Sequence, residues 1–124
     1  MKKLLSIIVL GLLLSGNAKA ETNEIITKVT HKVYRELLNN NPQKADQYVY
    51  TLWTGIMMAN AASNIHSKTK LFCMPKKLAL NPDNIHDIIM KEIQVSVKYE
   101  NYDESDSEVV ISLMRGLMKT FPCK

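Results

Sequence analysis

The chain has 124 residues, 46% of them apolar and 23% charged, with a net charge of +4 and only four Gly and four Pro. That is material for one globular domain. It excludes a multidomain machine, a collagen-like or low-complexity repeat, and a chain too polar to bury a core. The basic balance points to nucleic acid or an anionic surface only if the charges cluster in the right place.

At the N-terminus, Lys2 and Lys3 precede an apolar run from Leu4 to Leu14, and Ser15 to Ala20 closes the segment with small residues at Ala18 and Ala20. This is the three-part pattern of a secretory signal cleaved after Ala20, which predicts export to the periplasm. Eleven apolar residues fall short of the roughly 20 that a membrane-spanning helix needs, and no Cys near the cut offers a lipid attachment, so no stable membrane anchor is expected. Removing residues 1–20 takes away Lys2, Lys3 and Lys19 but no acid, and leaves residues 21–124 with 13 basic against 12 acidic side chains. The remaining net charge of +1 argues against a nucleic-acid partner, because phosphate binding depends on clustered Lys and Arg.

Four helices follow in order. Asn23 to Asn40 carries Ile25, Ile26, Val29, Val33, Leu37 and Leu38 at the three-to-four spacing of one helical face. The Asn39–Pro42 run ends it, and Asn41 with Pro42 opens a second helix to about Ile65, buried through Ala45, Tyr48, Val49, Leu52, Trp53, Ile56 and Ala59. Gly55 inside this helix costs about 1 kcal/mol against Ala, which predicts close approach of another helix there. Residues 66–81 read as a connection. Asn81 and Pro82 repeat the cap signal for a third helix to about Lys98, with Ile85, Ile88, Ile89, Ile93 and Val97 inward. Asn101 to Asp106 is a polar loop. Ser105 and Glu108 form a capping-box pattern before a fourth stripe of Val109, Val110, Leu113, Met114, Leu117 and Phe121, which Pro122 stops. Cys73 and Cys123 are the only cysteines, and in an oxidising compartment an intramolecular disulfide is the economical reading; a reactive thiol or a metal-ligand pair are the alternatives. Closing a loop of about 51 residues contributes roughly 4 kcal/mol in the chain-entropy model. The expected fold is all-α, a compact four-helix domain closed by one disulfide.

No catalytic constellation or cofactor site is legible. His31, His66 and His86 fall on separate segments without a ligand pair, and Asp83, His86 and Asp87 in a first helical turn simply complement the helix dipole. Met57, Met58, Met74, Met90, Met114 and Met118 include soft ligands for Cu(I), but most sit at core spacing. With no Gly-rich phosphate loop and no Gly-x-Ser-x-Gly elbow, neither an enzyme nor a metal protein is expected. Charge is nevertheless segregated. No acid occurs between Asp46 and Asp83, a stretch holding Lys68, Lys70, Lys76 and Lys77. Glu100, Asp103, Glu104, Asp106 and Glu108 occur with no base between Lys98 and Arg115, and Tyr99 and Tyr102 stand among them. The two patches are solvated loops, or pair with each other, or form a partner surface in which Tyr anchors and acids steer.

Phe72-Cys73-Met74-Pro75 followed by a helix and then by Phe121-Pro122-Cys123, with Gly55 and Ala59 four residues apart in the preceding helix, resembles the Rap/Tai immunity proteins of bacterial type VI secretion systems. The resemblance covers most of residues 45–124. Many members carry a further Cys pair before and within the second helix, where this chain has none. The resemblance implies a small helical periplasmic protein, often a homodimer, that binds and neutralises a secreted effector toxin, commonly a cell-wall (peptidoglycan) amidase. On this reading Cys73, Pro75, Pro122, Cys123, Gly55, Ala59, Phe72 and Phe121 are scaffold. Tyr99, Glu100, Tyr102, Asp103 and Glu104 are the first expected contacts, and Lys68 and Lys70 the second. A disulfide-linked acid-stress chaperone is the competing expectation, since protonating the acids leaves the Lys, Arg and His charges to repel one another at low pH. A Met-based copper carrier comes third.

Overall fold

The computed structural model describes residues 28–124. The expected leader, its cleavage after Ala20, and the Ile25 and Ile26 positions lie outside these residues. Four helices make up the described chain: α1 (His31–Asn40), α2 (Pro42–Ser67), α3 (Pro82–Ser96) and α4 (Val109–Thr120). The fold is all-α, and Cys73 and Cys123 form its disulfide, with Cα atoms 4.9 Å apart.

The helix starts show which local signals governed. Asn41 does two jobs: its N–H donates to the Leu37 carbonyl to close α1, and its side chain accepts from the Lys44 N–H to open α2. Pro42 follows at the first position, where a missing N–H costs nothing. At α3 the cap is reciprocal, since Asn81 and Asn84 each accept the other's backbone N–H.

Two starts differ from expectation. The first helix begins at His31, capped by Thr30, so Val29 does not belong to it. The cause is long-range: Val109 N–H donates to the Val29 carbonyl at 3.0 Å and His31 N–H to that of Ser107 at 2.9 Å, with Thr30 and Glu108 in an antiparallel bridge. This pairing holds the chain extended and turns the helix so that His31 and Tyr34 are buried while Val33 is 45% exposed. The fourth helix has no capping box, because Glu108 itself is the cap residue and makes no side-chain cap bond. Ser105 instead donates its N–H to the Asp103 carboxylate at 2.8 Å, inside the loop.

The core is continuous: Tyr34 from α1, Val49, Trp53 and Ile56 from α2, Ile85, Ile89 and Ile93 from α3, and Val109, Leu113 and Leu117 from α4. Phe72 from the connection completes it, tilted against Trp53 with ring centroids 6.3 Å apart. Asn60 secures this connection from α2, donating to the Phe72 carbonyl at 3.0 Å and accepting the Leu71 N–H at 2.8 Å. The α3–α4 hairpin therefore has two unlike ends, the polar loop 97–108 at one and the disulfide at the other.

Candidate functional site

The loop that joins α3 to α4 is folded onto α1 rather than left in solvent. Lys32 N–H donates to the Glu104 carbonyl at 3.0 Å, and Ser107 N–H donates to that of Asp103 at 2.9 Å. The Arg35 guanidinium stands 3.6 Å from the Glu104 carboxylate. Tyr102 turns inward, half-buried, with its hydroxyl 3.0 Å from His31 Nδ1; burial, its largest influence, raises the pKa of that hydroxyl. Tyr99 projects outward, 67% exposed, beside the exposed Glu100 and Asp103. The five acidic-loop residues singled out in the sequence thus divide by role. Tyr99, Glu100 and Asp103 form the outer surface, whereas Tyr102 and Glu104 tie that surface to the helices.

Behind the loop lies a polar cluster that sequence reasoning missed. His31 Nε2 is 2.7 Å from the Ser112 hydroxyl, and the two residues are only 1% and 5% exposed. A neutral imidazole donates from one nitrogen and accepts at the other, so it satisfies both hydroxyls at once. Burial, with the nearby Arg35 charge, lowers the His31 pKa from its ordinary 6.5, while the Glu108 backbone and the Glu104 charge act against that. The Ser–His spacing is that of a nucleophile and a base, but at this burial it couples α1, α4 and the loop. One signal was available: Val109, Ser112, Leu113, Gly116 and Leu117 share the inward face of α4, so Ser112 is a polar side chain on a core stripe. A second chain of bonds joins the other helices. The Tyr34 hydroxyl meets His86 Nδ1, and His86 Nε2 meets the Asp46 carboxylate at 2.9 Å. His86 therefore pairs with α2 rather than with Asp83 or Asp87. Burial also pushes Tyr34 well up and Tyr48 up to about 12.

Gly55 is not where helices meet. A Cβ built there encounters nothing within 4 Å, and Gly55 lies with Ala59 on an open groove of about 660 Å³ whose other walls include Tyr48, Leu52, Val110 and Met114. The close approach belongs to Gly116, where an added Cβ would collide with the Ile88 side chain and meet Glu92 Cγ at 3.3 Å. Lys68 and Lys70 are exposed near the disulfide, separated from the acidic loop by the length of the hairpin. Among the motif residues, Phe72 is buried, Phe121 packs against the core, and Pro75 and Pro122 are exposed. Met57, Met74, Met90 and Met114 pack against the core, while Met58 and Met118 are exposed. Among the described residues no group of three His, Cys, Asp or Glu side chains could hold a metal ion.

The chain matches no protein-family model, no curated protein and no solved structure. The resemblance to the Rap/Tai proteins therefore rests on the residues that carry it.

Proposed function

We propose that this protein is a periplasmic immunity factor that binds a type VI secretion toxin, of the peptidoglycan amidase class, and blocks its active-site cleft with the 97–108 loop. The observation that carries this reading is a surface of Tyr99, Glu100 and Asp103 held in place by the half-buried Tyr102 and Glu104 against α1. A loop already fixed by Tyr102–His31, Arg35–Glu104 and the backbone bonds that His31 and Lys32 of α1 make to Ser107 and Glu104 loses little further freedom on binding. Tyr supplies the anchor and the acids steer a basic partner. The Phe-Cys-x-Pro and Phe-Pro-Cys motifs support the family assignment. The groove at Gly55 and Ala59 is the surface on which a second copy would pack in the homodimer that the resemblance implies.

The experiment is to direct each toxin candidate encoded beside this protein to the periplasm, with and without the protein. Survival restored by the wild type and lost in the Tyr99→Ala/Glu100→Lys/Asp103→Lys variant is the expected result. Equal killing with and without the wild type, for every adjacent candidate, would refute the proposal. One observation favours a second reading as an acid-stress chaperone: the buried His31 bonds Tyr102 and Ser112 at the loop end, and burial lowers its pKa, so protonating it in acid would weaken that end of the fold. Retained helical circular dichroism at low pH with no suppression of client aggregation would remove that alternative.

A further inference from the structure

The connection between α2 and α3 carries a basic surface apart from the 97–108 loop with which the proposed function blocks the toxin. Lys68, Lys70, Lys76 and Lys77 all lie within five residues of Cys73 and all are exposed. None of them forms an ion pair among the described residues. The fold gathers them. Asn60 clamps Leu71 and Phe72 to α2, while Cys73 N–H donates to the Phe121 carbonyl at 2.8 Å and the disulfide fixes the same point to the end of α4. This also brings Lys124 beside the connection. The 15 residues of α3 place about 22 Å between this end of the hairpin and the acidic loop, so the two patches do not neutralise each other.

Large aliphatic side chains stand exposed among these lysines: Ile65 at 68%, with Leu71 and Leu78 also outward. Beside them is a cavity of about 360 Å³ lined by Met57, Ile65, Phe72 and Met74, with Lys70 at its edge. The residue types discriminate between partners. Protein interfaces favour Arg and aromatic anchors and are depleted in Lys, yet residues 64–80 hold no Arg, Tyr or Trp, and their one aromatic, Phe72, is buried. Single-stranded nucleic acid would need a series of aromatic faces for stacking, and this stretch exposes one ring, His66. Flexible point cations interspersed with aliphatic side chains suit a layer of anionic headgroups over acyl chains.

We infer that the 65–78 surface docks reversibly on an anionic phospholipid bilayer, with its lysines at the phosphates and Ile65, Leu71 and Leu78 at the acyl boundary. The acidic loop, at the far end of α3, is then held away from the membrane. This inference does not depend on the toxin-binding reading, and its test reads lipid binding alone.

The test is sedimentation of the processed chain from Glu21, which holds every described element, with phosphatidylglycerol/phosphatidylethanolamine vesicles and with phosphatidylcholine vesicles. Binding to the anionic vesicles only, weakening as salt approaches ~0.5 M, is expected. Lys68→Gln/Lys70→Gln/Lys76→Gln/Lys77→Gln lowers that affinity on the order of a thousandfold. Leu71→Ser/Leu78→Ser, both at exposed positions, lowers it further at high salt, where the apolar contribution remains. Circular dichroism of each variant shows that the fold is kept. Equal binding to both vesicle types, or unchanged binding by the quadruple variant, overturns the inference. So does capture of an acidic polypeptide or an oligonucleotide by the wild type without any vesicle binding.

Discussion

His31 concentrates the physical chemistry of the loop end into one side chain. It hydrogen-bonds two hydroxyls from different elements, donating to one and accepting from the other, and truncating it leaves the buried Ser112 hydroxyl without a partner. We expect Tyr102→Phe to cost about 1 kcal/mol, the worth of one hydrogen bond, and His31→Ala about 2–4 kcal/mol, because a cavity is added to the unpaired Ser112. Urea denaturation measures both. The sign of the pH dependence follows from the lowered pKa. The unfolded chain takes up a proton at the ordinary value of 6.5, before the folded chain does, so this group's contribution to stability is full above that value. It is lost as pH falls below it, until the folded-state pKa is passed. Stability of the wild type should therefore drop as pH falls through 6.5 and below, with a visibly smaller drop in His31→Gln. Equal slopes in the two proteins would show that another group carries the effect. Little of this was legible beforehand: a histidine shows its partners only through tertiary contacts, and here they lie 71 and 81 residues away.

At the scale of elements, the signals that survived folding were the local ones. Asn41-Pro42 and Asn81-Pro82 marked two helix starts because the cap, the proline and the first turn are all within four residues. The starts of α1 and α4 were misplaced for one shared reason: each is set by the other, through the Thr30–Glu108 bridge. Glycine was misread in a similar way. Gly55 and Gly116 both sit inside helices, and propensity cannot say which faces a neighbour. Contact geometry separates them and gives opposite predictions. Gly116→Ala forces a methyl into Ile88 and Glu92 and should destabilise by about 1–3 kcal/mol, whereas Gly55→Ala gains helix propensity in open space and should stabilise by up to about 1 kcal/mol. Thermal unfolding of the two variants checks the contrast. A stable Gly116→Ala protein would mean that α3 and α4 slide apart at little cost.

For the molecule as a whole, the net charge of the sequence says less than its distribution. The structure keeps an acidic, tyrosine-bearing loop and a lysine-rich connection at opposite ends of one helical hairpin, a separation that chain order suggested and packing made real. The disulfide is what holds the basic end in this arrangement, since the 68–81 connection has no helix of its own and Phe121 to Lys124 is a short tail. Its loss should therefore be large in stability and local in structure. The Cys73→Ser/Cys123→Ser protein is expected to lose about 4 kcal/mol in urea denaturation, the entropy of reopening a loop of about 51 residues, a large share of the 5–15 kcal/mol typical of a domain. Amide exchange should quicken across residues 68–77 and 121–124, while the amides of Lys32 and Ser107, bonded at the other end, keep their protection. A loss below about 1 kcal/mol would show instead that the Cys73–Phe121 backbone bond and the clamp of Asn60 on Leu71 and Phe72 fix the connection without the covalent link.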